Sequence, residues 1–168
     1  MGLTRSPLYI GVVGPDPCSE AVAAQAEHVG RLLAKAGAVL VCGGLGGVME
    51  AACRGASGEG GTSIGLLPGT SREAANPHLT VSIPTGMGEM RNLLVVRASN
   101  AVIALAGEFG TLSEIAFALK MGVPVVGLDT WELAKAGKRV HPFVQVHSPE
   151  EAVREALRLA AGPTTANS

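Results

Sequence analysis

The 168-residue chain contains 47% hydrophobic and 16% charged residues, a balance that excludes extended disorder in its body. The net charge is −1 and aromatic residues make up 3%, which argues against a nucleic-acid binder that relies on basic patches or base stacking. No apolar run approaches the roughly 18 residues of a membrane span, and the sequence predicts no signal peptide. Because Cys18, Cys42 and Cys53 share no ligand spacing, we expect a reducing, cytoplasmic location with neither membrane nor nucleic-acid partners.

Short apolar runs alternate with amphipathic segments along the chain. The runs predict strands over residues 8–13, 38–42, 63–67, 79–83, 101–105, 123–128 and 143–146. The amphipathic segments predict helices over residues 19–36, 47–54, 88–98, 111–122, 131–136 and 148–161. Gly30, inside the first helix, predicts that this helix packs closely on the sheet.

The order of these elements determines the expected fold. Strands that alternate with helices at this spacing predict right-handed βαβ units, and therefore an α/β fold. We expect a Rossmann-like three-layer αβα architecture with a mostly parallel sheet. One domain is predicted over residues 1–162, and residues 163–168 are predicted to form a disordered tail.

Glycine is about twice as frequent as the usual share of ~7%, and it clusters directly after predicted strands. A strand that ends in glycines and opens a helix directs amide N–H groups and the positive end of the helix at one point, which can hold a phosphate. Neither a Gly-x-Gly-x-x-Gly nor a P-loop pattern is present, so ordinary ATP hydrolysis is not supported. Three turns of this kind, on one edge of a parallel sheet, supply the candidate binding residues Gly14; Gly43, Gly44, Gly46 and Gly47; and Gly107 and Gly110.

The sequence Thr111-Leu-Ser-Glu114 has two interpretations. In a capping box, Thr111 is the helix N-cap and Glu114 is the third helical residue. Next to a phosphate cradle, with Arg91 one helix earlier, Glu114 would engage ribose hydroxyls or a glycosidic centre while Arg91 binds phosphate or stabilises developing charge. Glu108 would repel phosphate unless its side chain points away or meets Arg91 or Arg97.

The histidines give no indication of a metal site. His28, His78, His141 and His147 show no metal-like spacing with cysteine, aspartate or glutamate. We therefore expect no metal and no required cofactor.

The two larger glycine turns resemble those of the LONELY GUY-like superfamily, once labelled "possible lysine decarboxylase". Its marks are a Gly-Gly-x-x-Gly-x-Met turn and a Pro-Gly-Gly-x-Gly-Thr-x-x-Glu turn. Here they correspond to Gly43-Gly-Leu-Gly-Gly-Val-Met49 and Ala106-Gly-Glu-Phe-Gly-Thr-Leu-Ser-Glu114, and the similarity extends over residues 8–160. The second turn, together with Met90-Arg-Asn92, most resembles the uncharacterised bacterial branch that includes molybdenum-cofactor carrier proteins.

Hydrolases of this superfamily release the base and ribose 5-phosphate from nucleoside 5′-monophosphates. The resemblance implies that Arg91 and Glu114 are the catalytic pair, and that Gly107, Gly110 and Thr111 hold the phosphate. It also implies a homodimer or higher homo-oligomer, formed through helices beside the site.

The chain departs from the hydrolase pattern at three places. Ala106 and Glu108 stand where the hydrolases carry proline and glycine, and Met90-Arg-Asn92 replaces a Met-His-x-Arg-Lys run. These changes keep a phosphate pocket, in which Asn92 is a further candidate binding residue, but they weaken the prediction of hydrolysis.

The sequence therefore predicts a small phosphorylated ligand, either a nucleotide or a molybdopterin-type pterin, and leaves three functions open. The first is an N-glycosidase acting on nucleoside 5′-monophosphates. The second is a carrier that binds molybdenum cofactor, or something similar, without cutting a bond. The third is a sensor whose ligand regulates a partner.

Overall fold

Seven parallel strands form the central sheet of the protein, and two further strands form a small antiparallel hairpin. We describe residues 6–162 of a computed structural model, so the predicted tail at 163–168 lies outside the described residues. The strands are Tyr9–Val13 (β1), Val39–Cys42 (β2), Ser63–Leu67 (β3), Val81–Pro84 (β4), Ala101–Leu105 (β5), Val125–Leu128 (β6), Leu133–Lys135 (β7), Lys138–Val140 (β8) and Val144–Val146 (β9). The sheet order β4-β3-β2-β1-β5-β6-β9 confirms the predicted parallel α/β architecture.

Helices cover both faces of this sheet. The first face carries Glu20–Lys35 (α1), Gly47–Gly58 (α2) and, at the end of the chain, Pro149–Ala160 (α5). The second face carries Asn92–Arg97 (α3) and Phe109–Met121 (α4). Two apolar cores lie between the sheet and these helix layers, which confirms the predicted three-layer, Rossmann-like arrangement.

Helix starts follow the capping residues in the sequence. The Ser19 side chain accepts a hydrogen bond from the Val22 amide at 3.3 Å and begins α1. Ser148 accepts one from the Glu151 amide at 3.3 Å, and proline occupies the first helical position of α5. Gly122 ends α4 in the left-handed conformation, as the sequence predicts.

The order of the strands creates a switch point beside β1. The chain moves outward from β1 through β2 and β3 to β4 at one edge, and then returns to place β5 on the other side of β1. In open α/β sheets a crevice forms outside the carboxyl ends of the strands at such a point. The three glycine turns follow β1, β2 and β5, so they meet at this crevice.

A close contact between α1 and α2 extends the second helix beyond its predicted end. The sequence predicts that this helix stops at residue 54, but α2 continues to Gly58. A Cβ atom at Gly30 would lie 1.9 Å from the Ala52 carbonyl oxygen, and one at Gly55 would lie 1.9 Å from the Glu27 carbonyl oxygen. Gly30 therefore packs against α2 and not, as predicted, against the sheet.

Two further sequence predictions are wrong in detail. Residues 131–136, predicted as a short helix, instead contain β7, which pairs with β8 through a turn at Ala136 and Gly137. Both turn residues have positive φ, 51° and 77°, which matches the twist of a tight hairpin. The predicted helix over residues 88–98 is divided into a 3₁₀ turn, Gly88–Arg91, followed by α3.

Within residues 6–162, no helix has both the length and the apolar character that crossing a bilayer requires.

Candidate functional site

A cavity of about 350 Å³ opens at the carboxyl edge of the sheet, beside the switch point. Its wall comes from three separate parts of the chain: the turn after β1, the 3₁₀ turn before α3, and the first turns of α4. Residues from the β2 and β3 turns complete the lining. The full set is Gly14, Pro15, Asp16, Leu45, Met49, Pro68, Glu89, Arg91, Asn92, Glu108, Gly110, Thr111 and Glu114.

Arg91 is the buried cation of this cavity. It is 6% exposed, and its Nε atom has no hydrogen-bond partner among residues 6–162. A Cβ atom at Gly43 would lie 1.8 Å from Nη1 and 2.5 Å from Cζ, so the guanidinium lies directly on the Gly43 backbone. Burial lowers the pKa of Arg91, while Glu114 and Cys42 act in the opposite direction. An unpartnered buried guanidinium that lines a cavity is suited to bind an anion.

Glu114 is the buried acid that lines the cavity with Arg91. It is 7% exposed, and its carboxyl group forms no ion pair within 4.0 Å in the described part of the chain. Burial raises the pKa of Glu114 to about 8, and the nearby Arg91 charge only partly opposes this effect. At neutral pH the carboxyl group is therefore mostly protonated and can donate a hydrogen bond.

The first turn of α4 does not have the capping-box geometry that the sequence allows. The helix begins at Phe109 with Glu108 as N-cap, so Thr111 is the third helical residue and Glu114 faces the cavity instead of the helix end. Glu108 makes no side-chain cap bond, and its carbonyl accepts the first helical bond from Leu112 at 3.0 Å. The amides of residues 109–111 have no acceptor among residues 6–162.

The turn between β2 and α2 differs, because the protein itself satisfies several of its amides. The Gly46 amide donates to Asp16 Oδ2 at 3.1 Å, and the Val48 amide donates to the Pro15 carbonyl at 3.1 Å. The Gly44 amide donates to Cys42 Sγ at 3.3 Å. This turn therefore does not present the open phosphate cradle that its glycines predict, whereas the start of α4 does.

The charge of the cavity is mostly negative even though Glu114 is mostly protonated at neutral pH. The cavity is also lined by Asp16, Glu89 and Glu108, and Arg91 is the single cation in its lining. None of the four carboxyl groups has an ion-pair partner in the part of the chain we describe. Glu108 is exposed and lines the cavity wall.

The cavity brings together a subset of the residues predicted from the sequence. Those that line it are Gly14, Arg91, Asn92, Gly110, Thr111 and Glu114. Those outside the lining are Gly43, Gly44, Gly46, Gly47 and Gly107.

Packing explains why some of these positions are glycine. A Cβ atom added at Gly14 would lie 2.7 Å from Val48 Cγ2, and one added at Gly107 would lie 2.7 Å from Trp131 Nε1. Gly110, by contrast, faces open space within 4 Å. Gly110 is therefore the glycine whose missing side chain leaves room for a ligand.

Sequence reasoning missed two cavity acids, Asp16 and Glu89. Asp16 lies two residues after Gly14, in a turn whose loop conformation follows no readable pattern. Glu89 directly precedes the Met90-Arg-Asn92 segment, so its proximity to Arg91 was the available signal. Asn92 Nδ2 donates to Ser113 Oγ at 3.3 Å, and this bond connects the start of α3 to α4.

No group of three or more histidine, cysteine, aspartate or glutamate side chains within residues 6–162 is arranged to hold a metal ion.

Comparison with known proteins identifies the family. A model described as the SLOG cluster4 family matches residues 7–153. The chain belongs to the SLOG cluster4 family. This membership confirms the resemblance to the LONELY GUY-like superfamily, and the structural neighbours of this SLOG protein are those of the molybdenum-cofactor carrier branch.

Two solved structures and one sequence relative illustrate the similarity. The molybdenum cofactor binding protein of Rippkaea orientalis is 34% identical with a TM-score of 0.84, over 93% of this chain and 98% of that one. The molybdenum cofactor carrier protein of Chlamydomonas reinhardtii is 33% identical with a TM-score of 0.80, over 92% and 99%. An uncharacterized protein of Archaeoglobus fulgidus is 42% identical over 146 residues, which are 87% of this chain and 92% of the relative.

Proposed function

We propose that this SLOG cluster4 protein binds a small phosphorylated ligand in the cavity between β1 and β5, and that it carries this ligand without cleaving it. The observation that supports this proposal most is the unpartnered, buried Arg91 guanidinium beside the open amides of α4. Together they offer one cationic group and a helix N-terminus to a single phosphate. Gly110 and Thr111 would contact that phosphate, and Asn92 would hold the neighbouring wall.

A pterin-type head group is the ligand that we favour. The carboxyl groups of Asp16 and Glu89 can accept hydrogen bonds from an amino-pyrimidinone edge, which carries adjacent N–H donors. Protonated Glu114 can donate to a carbonyl or ring nitrogen of the same ligand. Two solved proteins that are 34% and 33% identical to this chain are described as binding or carrying molybdenum cofactor. Their similarity supports a molybdopterin-type ligand here.

Hydrolysis of a nucleoside 5′-monophosphate is the second candidate function. One observation favours it: Glu114, with a pKa of about 8, lines the same cavity as Arg91. In that reaction Arg91 would bind the phosphate or stabilise developing charge, and Glu114 would act at the glycosidic centre. Ala106 and Glu108 differ from the hydrolase pattern, so we place this reaction second.

Ligand capture and turnover separate the two functions. Any ligand that co-purifies with the protein is released by acid and iodine treatment. The extract is then examined for pterin fluorescence and for molybdenum. In parallel, the protein is incubated with AMP and free adenine is measured. A carrier yields a pterin and releases no adenine, whereas adenine release that is lost in Glu114→Gln would overturn the carrier proposal.

Arginine variants test the binding site itself. We expect Arg91→Ala to lower the affinity for AMP or a pterin phosphate at least about tenfold, because a charge-assisted phosphate contact is lost. Arg97→Ala is the matched control, since Arg97 is exposed on α3 and outside the cavity lining. Equal losses in both variants would contradict the assignment of the cavity as the site.

We also propose a homodimer or larger homo-oligomer. Met90 and Phe109 are 70% and 77% exposed, and with Phe117 they line an apolar depression of about 430 Å³ beside the cavity. The depression shares Glu89, Asn92 and Gly110 with the cavity. A second copy of the chain would cover this apolar surface next to the site.

A further inference from the structure

We infer that Asp16 is a specificity-determining residue, because its carboxylate occupies the anion position at the start of α2 and thereby restricts the cavity to ligands with one phosphate. The inference rests on the proposed function for the identity of its ligand. It assigns to the turn after β1 a role in excluding diphosphates, in addition to its role in the cavity wall.

The contacts of Asp16 place its charge against the helix start. Oδ2 accepts the Gly46 amide at 3.1 Å. A Cβ atom at Gly46 would lie 2.9 Å from Oδ1 and 3.1 Å from Oδ2, so the absence of a side chain there lets the carboxylate approach the backbone. The carbonyl oxygen of the preceding residue, Pro15, accepts a hydrogen bond from the Val48 amide at 3.1 Å. Pro15 and Asp16 thus satisfy the amides of Val48 and Gly46 at the beginning of α2.

At the start of α4, by contrast, the described part of the protein leaves the first amides without acceptors. No side chain caps it, and the amides of residues 109–111 have no acceptor within residues 6–162. Arg91, which is 6% exposed and whose buried Nε has no partner within the same residues, lines the same cavity. One helix start is therefore open to a ligand anion, and the other is already neutralised from within the protein.

This asymmetry limits the charge that a ligand can bring. The first phosphate is attracted by Arg91 and by the α4 amides. A second phosphoryl group that extends across the cavity toward α2 meets the Asp16 carboxylate, and no unoccupied Gly46 amide remains to receive it. Repulsion between the Asp16 carboxylate and the second phosphoryl group disfavours binding of a diphosphate, so Asp16 acts by repulsion and not by attraction.

Nucleotide binding by charge-neutral variants tests this inference. The affinities for AMP and ADP are measured by calorimetry for the wild type, for Asp16→Asn and for Glu73→Gln. The asparagine oxygen still accepts a hydrogen bond from the Gly46 amide, so the local fold is kept while the charge is removed. We expect the preference for AMP over ADP to fall at least about tenfold in Asp16→Asn. Glu73→Gln, which removes the same charge from an exposed position outside the cavity lining, should leave the preference within about threefold of the wild type.

Sulfate binding provides a readout that does not need a nucleotide. In Asp16→Ala the Gly46 amide loses its acceptor, so sulfate can take the vacant position and raise the unfolding temperature more than it does in the wild type. Glu73→Ala serves as the control, because Glu73 is exposed and lies outside the cavity lining, and it should respond to sulfate as the wild type does.

The two experiments separate the inference from the proposed function. If the wild type binds neither nucleotide and yields no pterin, but Asp16→Ala gains stabilisation by sulfate, the proposed function fails and the role of Asp16 stands. If AMP binds normally while Asp16→Asn keeps its preference over ADP, or while Asp16→Ala responds to sulfate like the wild type, the role of Asp16 is overturned.

Discussion

The two buried ionisable residues of the candidate site, Arg91 and Glu114, are held in different ways. Arg91 rests on the backbone at Gly43 and keeps one nitrogen without a partner, whereas Glu114 is buried with no donor close to its carboxyl group. The arrangement of Arg91 is unfavourable by itself, because a buried polar atom without a partner costs free energy. Such a cost is typical of binding sites, where a ligand supplies the missing partners.

The raised pKa of Glu114 predicts a pH-dependent stability. A carboxyl group with a pKa near 8 in the folded protein and 4.5 in the unfolded chain takes up a proton on folding, so its effect on stability becomes less favourable between about pH 4.5 and pH 8. We expect Glu114→Gln to be more stable than the wild type at pH 8, by on the order of 4 kcal/mol, and equally stable near pH 4. Urea denaturation at the two pH values measures this difference.

The control for this prediction is Glu89→Gln, which alters an exposed acid of the same cavity. Its stability relative to the wild type should not depend on pH over the same range. A Glu114→Gln variant whose stability follows the wild type in parallel from pH 4 to pH 8 would show that Glu114 ionises normally.

Gly43 predicts a second effect at the residue scale. A methyl group at this position would overlap Arg91 Nη1, which would lie 1.8 Å away, so Gly43→Ala forces the guanidinium to move. We expect Gly43→Ala to reduce binding of AMP or a pterin phosphate at least about tenfold, since Arg91 would no longer face the cavity.

The matched control is Gly69→Ala, because a Cβ atom at Gly69 meets no other atom within 4 Å. Calorimetric affinities should be unchanged for this variant. If Gly43→Ala binds as tightly as Gly69→Ala, the position of Arg91 on the Gly43 backbone has no importance for the site.

At this scale the sequence predicted residue types better than residue geometry. Arg91, Glu114, Gly110 and Thr111 line the cavity, although their roles in binding stay predictions. The capping box failed because Thr111-Leu-Ser-Glu114 fits two helix registers, and the local pattern does not reveal that α4 begins at Phe109. Asp16 was missed because a loop carboxylate can satisfy a distant amide without leaving a pattern in the chain.

At the scale of elements, the contact between α1 and α2 depends on two glycines that face each other's helix backbone. Gly30 and Gly55 each allow an approach that a Cβ atom would block at 1.9 Å from a carbonyl oxygen. Helix backbones this close gain packing along their whole length, and this offsets the cost of placing glycine inside a helix. The continuation of α2 past residue 54 has the same cause.

Substitution of Gly30 tests this packing. Alanine is the better helix former by about 1 kcal/mol, but at Gly30 it must push α1 away from α2. We expect Gly30→Ala to lower the free energy of unfolding by about 1–3 kcal/mol, a net loss despite the helix propensity. Chemical denaturation followed by circular dichroism measures this change.

Gly58 offers the control on the partner helix, since a Cβ atom there meets nothing within 4 Å. Gly58→Ala should leave stability unchanged or raise it slightly. An increase of stability in Gly30→Ala similar to that in Gly58→Ala would contradict the tight contact.

The hairpin between β6 and β9 shows where element prediction from sequence reaches its limit. The sequence Trp131-Glu-Leu-Ala-Lys-Ala136 has residues that favour a helix, and the turn carries alanine where asparagine is more usual. Pairing with Lys138–Val140, which lies later in the chain, decides in favour of a strand. By contrast, the buried runs of β1, β2 and β5 were recognisable because central parallel strands are apolar on both faces.

At the scale of the whole molecule, the apolar surface beside the cavity predicts self-association. Met90 and Phe109 are more exposed than the other large apolar residues of the part we describe. We expect the wild type to sediment as a dimer or larger species, and Met90→Ser combined with Phe109→Ser to shift it toward the monomer. Analytical ultracentrifugation at several concentrations measures this equilibrium.

Val140→Ser supplies a control, because Val140 is an exposed apolar residue on the hairpin, outside this surface. It should sediment as the wild type does. A wild type that stays monomeric at high concentration would contradict the proposed interface, and a shift in Val140→Ser alone would move the interface to the hairpin.

The switch point between β1 and β5 has a consequence for how the molecule unfolds. The strands on either side of it, and the walls of the cavity, come from chain segments separated by about half of the sequence. A bound molecule therefore bridges two halves of the sheet that are joined along the chain by the excursion through β2, β3 and β4. Ligand binding should therefore slow amide exchange across the entire sheet and not merely in the nearby loops, because it stabilises the whole fold against unfolding.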